Sequence, residues 1–400
     1  MAMEKKGGIS ALIASCAVMF WIGTFIFGLP GVMAGYWQET LEVGRSSVAQ
    51  VQFWILFALG VCMFAVGKLQ EGLGPCIMGV IGALLMGIGT VSLGFGNSLW
   101  ALCAWGFAMG MASSFLYIPA LTVVQRWYPL RKGLVVGLVN LIFGLSSAVM
   151  VPVYSWVLHQ AGANVLGFTF GTLALITGLV LAPFLKFPAS ETFEPGAGQE
   201  QSTLNMGVRG SLRSRNFWLI WATWALAGGA GFSMVTLSTM FGTARGLTSD
   251  HAVIILSAFG LTNGLSRFFS GYFSDSLGRV PTLTGSFLAA GLAYVLMPHV
   301  QGLILWAVLA GAVGCGFGTL FAVSAPLVAE CFGLLHFGTV FGMVFTAYGF
   351  LSGLLGPWLG GYMLDATGDS FEIVFTYMGL CLFLAAFLIS RVRIAETVKV

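Results

Sequence analysis

Gly67-Lys68-Leu69-Gln70-Glu71-Gly72-Leu73-Gly74 and Gly271-Tyr272-Phe273-Ser274-Asp275-Ser276-Leu277-Gly278-Arg279 share one pattern, Gly-x-apolar-x-acid-x-Leu-Gly. Each stretch follows the second long apolar run of its half of the chain. The glycines permit a tight turn and close approach of helices. The acids, Glu71 and Asp275, sit where they can cap or pair with a neighbouring helix end. They are therefore read as structural or gating residues rather than substrate contacts. A pattern that returns at matching positions marks an internal repeat.

The sequence around these stretches is that of a membrane protein. The 400 residues are 58% apolar and only 8% charged, against roughly 25% charged in a soluble protein. Mean hydropathy is +0.94. A water-soluble fold of this size could not bury so much apolar surface. The net charge of +3 implies no nucleic-acid partner. Twelve apolar runs reach the length of about 20 residues that a spanning helix needs. They lie near 9–36, 50–68, 76–96, 98–124, 134–158, 165–186, 216–242, 252–274, 281–298, 302–329, 337–364 and 371–390. Their length favours helices over barrel strands, which alternate over about 10 residues.

An even number of spans places both termini on one side. Fourteen of the 17 Lys and Arg fall in the segments on that side, whereas the opposite loops hold only Arg45 and Arg245. The positive-inside rule then assigns both termini to the cytoplasm. The longest polar stretch, Pro188–Asn216, splits the spans six and six. It reads as a flexible linker, which gives a bundle over 1–187, a linker over 188–215 and a second bundle over 216–400. Met1–Gly8 reads as a short polar start without a cleavable signal. Cys16, Cys62, Cys76, Cys103, Cys315, Cys331 and Cys381 form no CxxC pair or Cys/His cluster. They suggest buried thiols, and no metal or cofactor is implied.

Arg267 is the one basic residue left inside a span, the eighth. A charge at a helix centre costs about 2.5–3.5 kcal/mol on insertion scales, so it faces a wet cavity and marks a substrate path. The competing reading is an Arg snorkelling to the membrane surface. Arg267 stands eight residues before Asp275, about 12 Å at 1.5 Å per residue, which is far for a snorkel. A guanidinium matches a carboxylate and stays charged at any working pH. Asn263, one turn away on the same face, can donate to the same ligand or hold a neighbouring helix. Phe317 and Phe321 also share a face, and Tyr117 and Tyr348 are the phenols nearest the midplane of each half. A small-ligand site is apolar with a few placed polar groups, which these residues could supply. His251 at the outer mouth of span 8 is either a proton relay or a solvated loop residue. Kinks are expected at Pro30, Pro119, Pro152 and Pro357.

Twelve spans, the six-and-six split and the repeated loop resemble the major facilitator superfamily over the whole chain. Further residues are similar to its monocarboxylate and oxalate/formate transporter branch. Arg126-Trp127-Tyr128-Pro129-Leu130-Arg131-Lys132-Gly133-Leu134 resembles a Trp-Phe-Pro-x-Arg-Arg-Gly-Leu signature. Tyr36-Trp37-Gln38-Glu39 with Arg45-Ser46-Ser47, Ala329-Glu330-Cys331-Phe332-Gly333 and Thr346-Ala347-Tyr348-Gly349 resemble corresponding stretches of those families. The resemblance implies an all-α membrane protein, two six-helix bundles with both termini cytoplasmic, in the inner membrane and multi-pass. It implies a secondary carrier working by alternating access, a monomer, with a small monocarboxylate anion and H⁺ as partners and the lipid bilayer as surroundings. It also implies that Arg267 binds the substrate carboxylate and that spans 1, 4, 5, 7, 8, 10 and 11 line the cavity. That nominates Leu29, Tyr117, Asn140, Leu145, Asn263, Arg267, Phe317, Phe321 and Tyr348, with Glu71, Asp275, Arg126 and Arg131 as gating or structural residues.

Two departures bear on substrate and coupling. Oxalate exchangers carry Lys where this chain has Tyr348, so Arg267 alone matches a monoanion such as lactate or pyruvate better than a dianion. Animal monocarboxylate carriers carry an acid where this chain has Asn263 and a Lys where it has Gly31 after Pro30. The proton would then travel with the substrate. The alternative is an anion exchanger of the oxalate/formate type. An enzyme would need a buried catalytic or metal constellation, and a primary pump would need a phosphate-binding loop. The sequence contains neither, so no enzymatic activity is expected.

Overall fold

The computed structural model describes the backbone of residues 2–43, 45–93, 98–188, 206–368 and 370–394. The side chains of Lys5, Lys6, Arg45, Ser46 and Ser47 lie outside the described residues, as do residues 189–205 of the expected linker and 395–400. Every regular element among the described residues is a helix. In chain order these are α1 (Ala2–Gly23), α2 (Leu29–Leu41), α3 (Arg45–Ser92), α4 (Leu99–Trp127), α5 (Lys132–Leu181), α6 (Val208–Arg213), α7 (Arg215–Ala244), α8 (Ser249–Leu277), α9 (Arg279–Leu296), α10 (Leu303–Phe332), α11 (Phe337–Thr346), α12 (Leu359–Thr367) and α13 (Phe371–Ser390).

Ten helical stretches among the described residues are long and apolar enough to cross a bilayer. Two of them are 43 and 56 residues long, Gln50–Ser92 and Pro129–Phe184, about twice what one crossing requires. Each holds one break. Gly74 has φ 76° and ψ 164°, and Gly162 has φ 82° and ψ 173°. Only glycine adopts such a conformation without steric cost, so the chain turns back there without leaving the hydrogen-bonded rod for long. Counted across the two breaks, the crossings number twelve. Gly278, which ends the second repeat as Gly74 ends the first, has φ 91° and separates α8 from α9. Large apolar side chains such as Ile88, Phe168, Ile304 and Val308 are more than half exposed. Lipid tails cover such a surface, which water would not tolerate.

Hydrogen bonds between spans replace the hydrophobic drive that a bilayer lacks. The Trp21 indole donates to Thr177 (2.7 Å), and Thr24 donates to Tyr154 (3.0 Å). Tyr294 donates to the Ala230 carbonyl (2.6 Å), and Trp221 to Thr346 (3.0 Å).

The prolines act in two ways. Pro119 lies inside α4, and Pro152 lies in the part of α5 that precedes its break at Gly162. Near Pro30 and Pro357 the backbone instead widens into π-helix, over Thr24–Gly28 before Pro30 and over Ala347–Ser352 and Leu354–Trp358 around Pro357. Proline removes a donor and crowds the carbonyl four residues back. A wider turn relieves that crowding while the rod continues.

The chain divides into two compact units. One comprises Met1–Leu130, Ile142–Glu200 and Leu334–Gly342, and the other Arg131–Leu141, Gln201–Gly333 and Met343–Val400. The described end of the expected linker is not a bare tether. Residues 208–213 form α6, whose Ser211 is buried, and the Trp218 indole donates to the Leu212 carbonyl at 2.9 Å. The Met206 amide donates to the Phe332 carbonyl at 3.0 Å. Sequence composition hid this element, because Gly207, Gly210, Ser211 and Ser214 read as helix breakers and tertiary bonds hold it in place.

Candidate functional site

In the second unit α10 lies directly against α8. A Cβ on Gly318 would overlap the Asn263 carbonyl oxygen and the Ser266 hydroxyl, so the two backbones can approach this closely only with glycine there. That contact brings Phe321 of α10 beside Arg267 of α8. Arg267 is 2% exposed, and its guanidinium carbon stands 4.5 Å from the centre of the Phe321 ring. Such a cation–π contact contributes about 0.5–2 kcal/mol, most when desolvated. The Arg267 Nε donates to Asn263 Oδ1 at 3.4 Å, the residue one turn earlier on the same face. Asn263 thereby holds one edge of the guanidinium fork and fixes its plane.

An aromatic wall stands behind the Arg267–Phe321 pair. Phe321 meets Phe317 at 5.2 Å and Tyr348 at 5.3 Å between ring centres, both edge-on. Tyr348 enters this wall from the π-helical segment Ala347–Ser352. Trp224 of α7 is fully buried and packs against Phe321 (5.1 Å), Phe345 (4.9 Å) and Tyr348 (5.7 Å). Phe232, two turns further along α7, meets Tyr348 at 5.3 Å. Sequence reasoning missed Trp224, Phe232 and Phe345. The signal was available: Trp224, Gly228 and Phe232 repeat every four residues and so share one helix face. The result is a fixed cation in a low-dielectric aromatic surround, with a planar array of donors. That arrangement suits a small organic anion with an apolar body.

Five of the expected binding residues thus meet in one place: Asn263, Arg267, Phe317, Phe321 and Tyr348. The other expected residues have the following surroundings. Tyr117 is buried in the first unit, edge-on to Phe143 at 6.2 Å. Leu29 is fully buried at the end of the π-helical segment Thr24–Gly28, and Leu145 is half-buried. The Asn140 amide donates to the Val136 carbonyl within its own helix at 3.0 Å. His251 is exposed and shares a hydrogen bond with Thr248 at 2.9 Å. A cavity of about 370 Å³ in the first unit, lined by Gly89, Ser92, Leu93, Trp105 and their neighbours, contains none of these residues. No group of three His, Cys, Asp or Glu side chains that could hold a metal occurs among the described residues.

The two repeat acids each receive a helix start, by different chemistry. Asp275 accepts from the backbone N–H groups of Gly133 and Leu134, both at 2.9 Å, and pairs with Arg279 at 2.6 Å. Arg279 also pairs with Glu330 at 2.9 Å and donates to Ser274 at 2.6 Å. An acid on two unpaired N–H groups at the start of α5 also meets the positive end of the helix dipole. Glu71 instead accepts from the Thr339 hydroxyl at 2.7 Å and faces His336 Nδ1 at 3.0 Å. The position matching Arg279 is Pro75 in the first repeat, so Glu71 takes its side-chain partners from another element. Arg126 donates to the Leu334 carbonyl at 3.0 Å and covers the Phe187 ring at 3.9 Å, while Arg131 is exposed.

Comparison with known proteins agrees with this architecture. The oxalate:formate antiporter of Oxalobacter formigenes is 26% identical over 237 residues, 59% of this chain and 56% of its own length. The chain thus spans little more than half of that relative. Human monocarboxylate transporter 11 is 29% identical over 317 residues, 74% of this chain and 64% of its own. Monocarboxylate transporter 10 of Danio rerio is 26% identical over 390 residues, covering 90% and 74%. Among solved structures, the Escherichia coli fucose:proton symporter FucP superposes with a TM-score of 0.74 at 14% identity, over 96% of this chain and 98% of that one. The proton:xylose symporter XylE gives 0.73 at 13%, over 96% and 95%. At these identities the structures speak to the fold alone. The model of the Major Facilitator Superfamily matches residues 13–256 and 246–399. With twelve apolar crossings and a match over nearly its whole length, the chain belongs to the Major Facilitator Superfamily and is a multi-pass membrane transporter.

Proposed function

We propose that the chain carries short monocarboxylates of the lactate and pyruvate type, with Arg267 binding the carboxylate. The observation that carries this reading is a guanidinium, 2% exposed, against an aromatic ring inside a membrane helix. Such a charge is costly to keep there and marks a substrate path. The guanidinium has five N–H donors, and Asn263 engages one through Nε. A bidentate carboxylate uses the outer edge of the same fork. The aromatic wall of Phe317, Phe321, Tyr348 and Trp224 accommodates a short apolar body. Glu71, Asp275, Arg126 and Arg131 belong to the helix-end contacts that open and close during alternating access, and the sequence halves 1–187 and 216–400 supply the two moving bundles. Similarity to proteins named as monocarboxylate transporters and as an oxalate:formate antiporter supports a small organic anion as cargo.

Coupling follows from Asn263. An amide beside Arg267 takes up no proton, so the proton accompanies the anion rather than riding on a side chain. The second reading is exchange of one small anion for another, favoured by the same neutral Asn263. Uptake of radiolabelled L-lactate into proteoliposomes separates the two. A carrier with proton coupling accumulates lactate when an inward proton gradient is imposed. An exchanger accumulates it only against internal anion. Arg267→Ala lowers either activity at least about thirtyfold, the low end of what removing a buried charge partner costs. Undiminished transport in that variant rejects the assignment.

A further inference from the structure

We propose that the end of the second unit where α7 begins and α13 finishes is a docking surface for anionic phospholipid headgroups. This is independent of what the chain carries. Five arginines converge there. Arg209 and Arg213 lie one turn apart on α6, Arg215 opens α7, and Arg391 and Arg393 follow α13, and all five are exposed. Asn216 brings the two groups together across 177 residues of sequence. Its Nδ2 donates to the Arg393 carbonyl at 2.7 Å, and the Arg393 amide donates back to its Oδ1 at 3.2 Å. A side-chain amide paired twice with the backbone of one residue fixes position as well as distance.

Within these two segments the charge is of one sign. No Asp or Glu occurs between 206 and 218 or between 388 and 394. The patch also has an apolar component: Leu212 is 40% exposed and Trp218 is 52% exposed beside the arginines. Tryptophan at the end of a spanning helix sits at headgroup level, and a cationic surface with apolar anchors lies in the interface plane. Arginine matches a phosphate oxygen pair in a planar, two-bond geometry. A soluble anion would use the arginines but leave Leu212 and Trp218 in water. A phospholipid uses both, and this end of α7 and α13 is the one that the positive-inside rule assigns to the leaflet facing the cytoplasm, where anionic lipids attract basic segments.

The test uses the full chain in detergent, titrated with phosphatidylglycerol or phosphatidylcholine, with lipid retention read by native mass spectrometry. The parent is expected to retain phosphatidylglycerol and not phosphatidylcholine, and to lose it as salt rises. The triple variant R209Q/R213Q/R215Q changes only exposed side chains. It should weaken retention about a hundredfold, at roughly fivefold per arginine near an anionic surface. Asn216→Ala releases the segment that carries Arg391 and Arg393 and should weaken it by about five- to twentyfivefold on the same scale. Equal retention by parent and triple variant, or equal retention of the two lipids, overturns the proposal. Displacement of the lipid by inorganic phosphate at matching concentration overturns it as well, since the surface would then be a soluble-anion site.

Discussion

Arg267 and Phe321 form a pair whose two halves can be altered separately. Arg267→Lys keeps the charge but replaces a planar fork with a compact ammonium, so two-bond recognition of a carboxylate is lost. Substrate affinity should fall by at least tenfold in a binding titration, while the helical circular dichroism of the purified protein stays unchanged. Phe321→Leu leaves the charge and removes the ring face, which contributes about 0.5–2 kcal/mol. A loss of up to about thirtyfold in affinity is expected, with Phe321→Tyr close to the parent. Equal behaviour of the Leu and Tyr variants would assign the ring a packing role only. Arg267 and Asn263 were legible in sequence because a charge in a span has few explanations. Trp224 was not, since an aromatic in a span satisfies lipid, core and site equally well, and only its contacts with Phe321, Phe345 and Tyr348 separate these roles.

Elements meet through their ends and their glycines. Asp275 holds the start of α5 through two backbone N–H groups and an arginine, whereas Glu71 meets a hydroxyl and a histidine. Asp275→Asn removes the charge from three contacts at once and should lower stability by about 1–3 kcal/mol, the range for a buried partner left unsatisfied. Glu71→Gln should cost less, because an amide oxygen still accepts from Thr339. Thermal unfolding of both variants in one detergent checks the order, and a larger loss for Glu71→Gln would contradict it. Gly318→Ala should push α10 off α8 and depress both stability and substrate affinity, because the added methyl meets the Asn263 backbone carbonyl as well as the Ser266 hydroxyl. The repeated loops were readable because glycines and acids at fixed spacing leave a strong trace. The π-helical segments were not. A proline in a span predicts strain, and whether the rod kinks or widens depends on the helices packed around it.

At the scale of the whole molecule, hydropathy alone gave the crossings, and the breaks at Gly74 and Gly162 explain why fewer rods than crossings are seen. The sidedness expected from the distribution of Lys and Arg can be checked directly. In a background with all seven native cysteines replaced, Arg213→Cys should react with a membrane-impermeant maleimide only in inside-out vesicles, and Arg245→Cys only in right-side-out ones. The reverse pattern would invert the topology. What hydropathy could not show is which segments each unit takes in, because that depends on contacts distant in sequence. The unit dominated by the first half includes Leu334–Gly342, and the unit dominated by the second half includes Arg131–Leu141. A gene cut at the linker would therefore yield two polypeptides that each lack a piece of their own compact unit. Made alone, each fragment should be degraded quickly or purify with a low melting temperature. Made together in one cell, they should rescue one another and copurify without a covalent link.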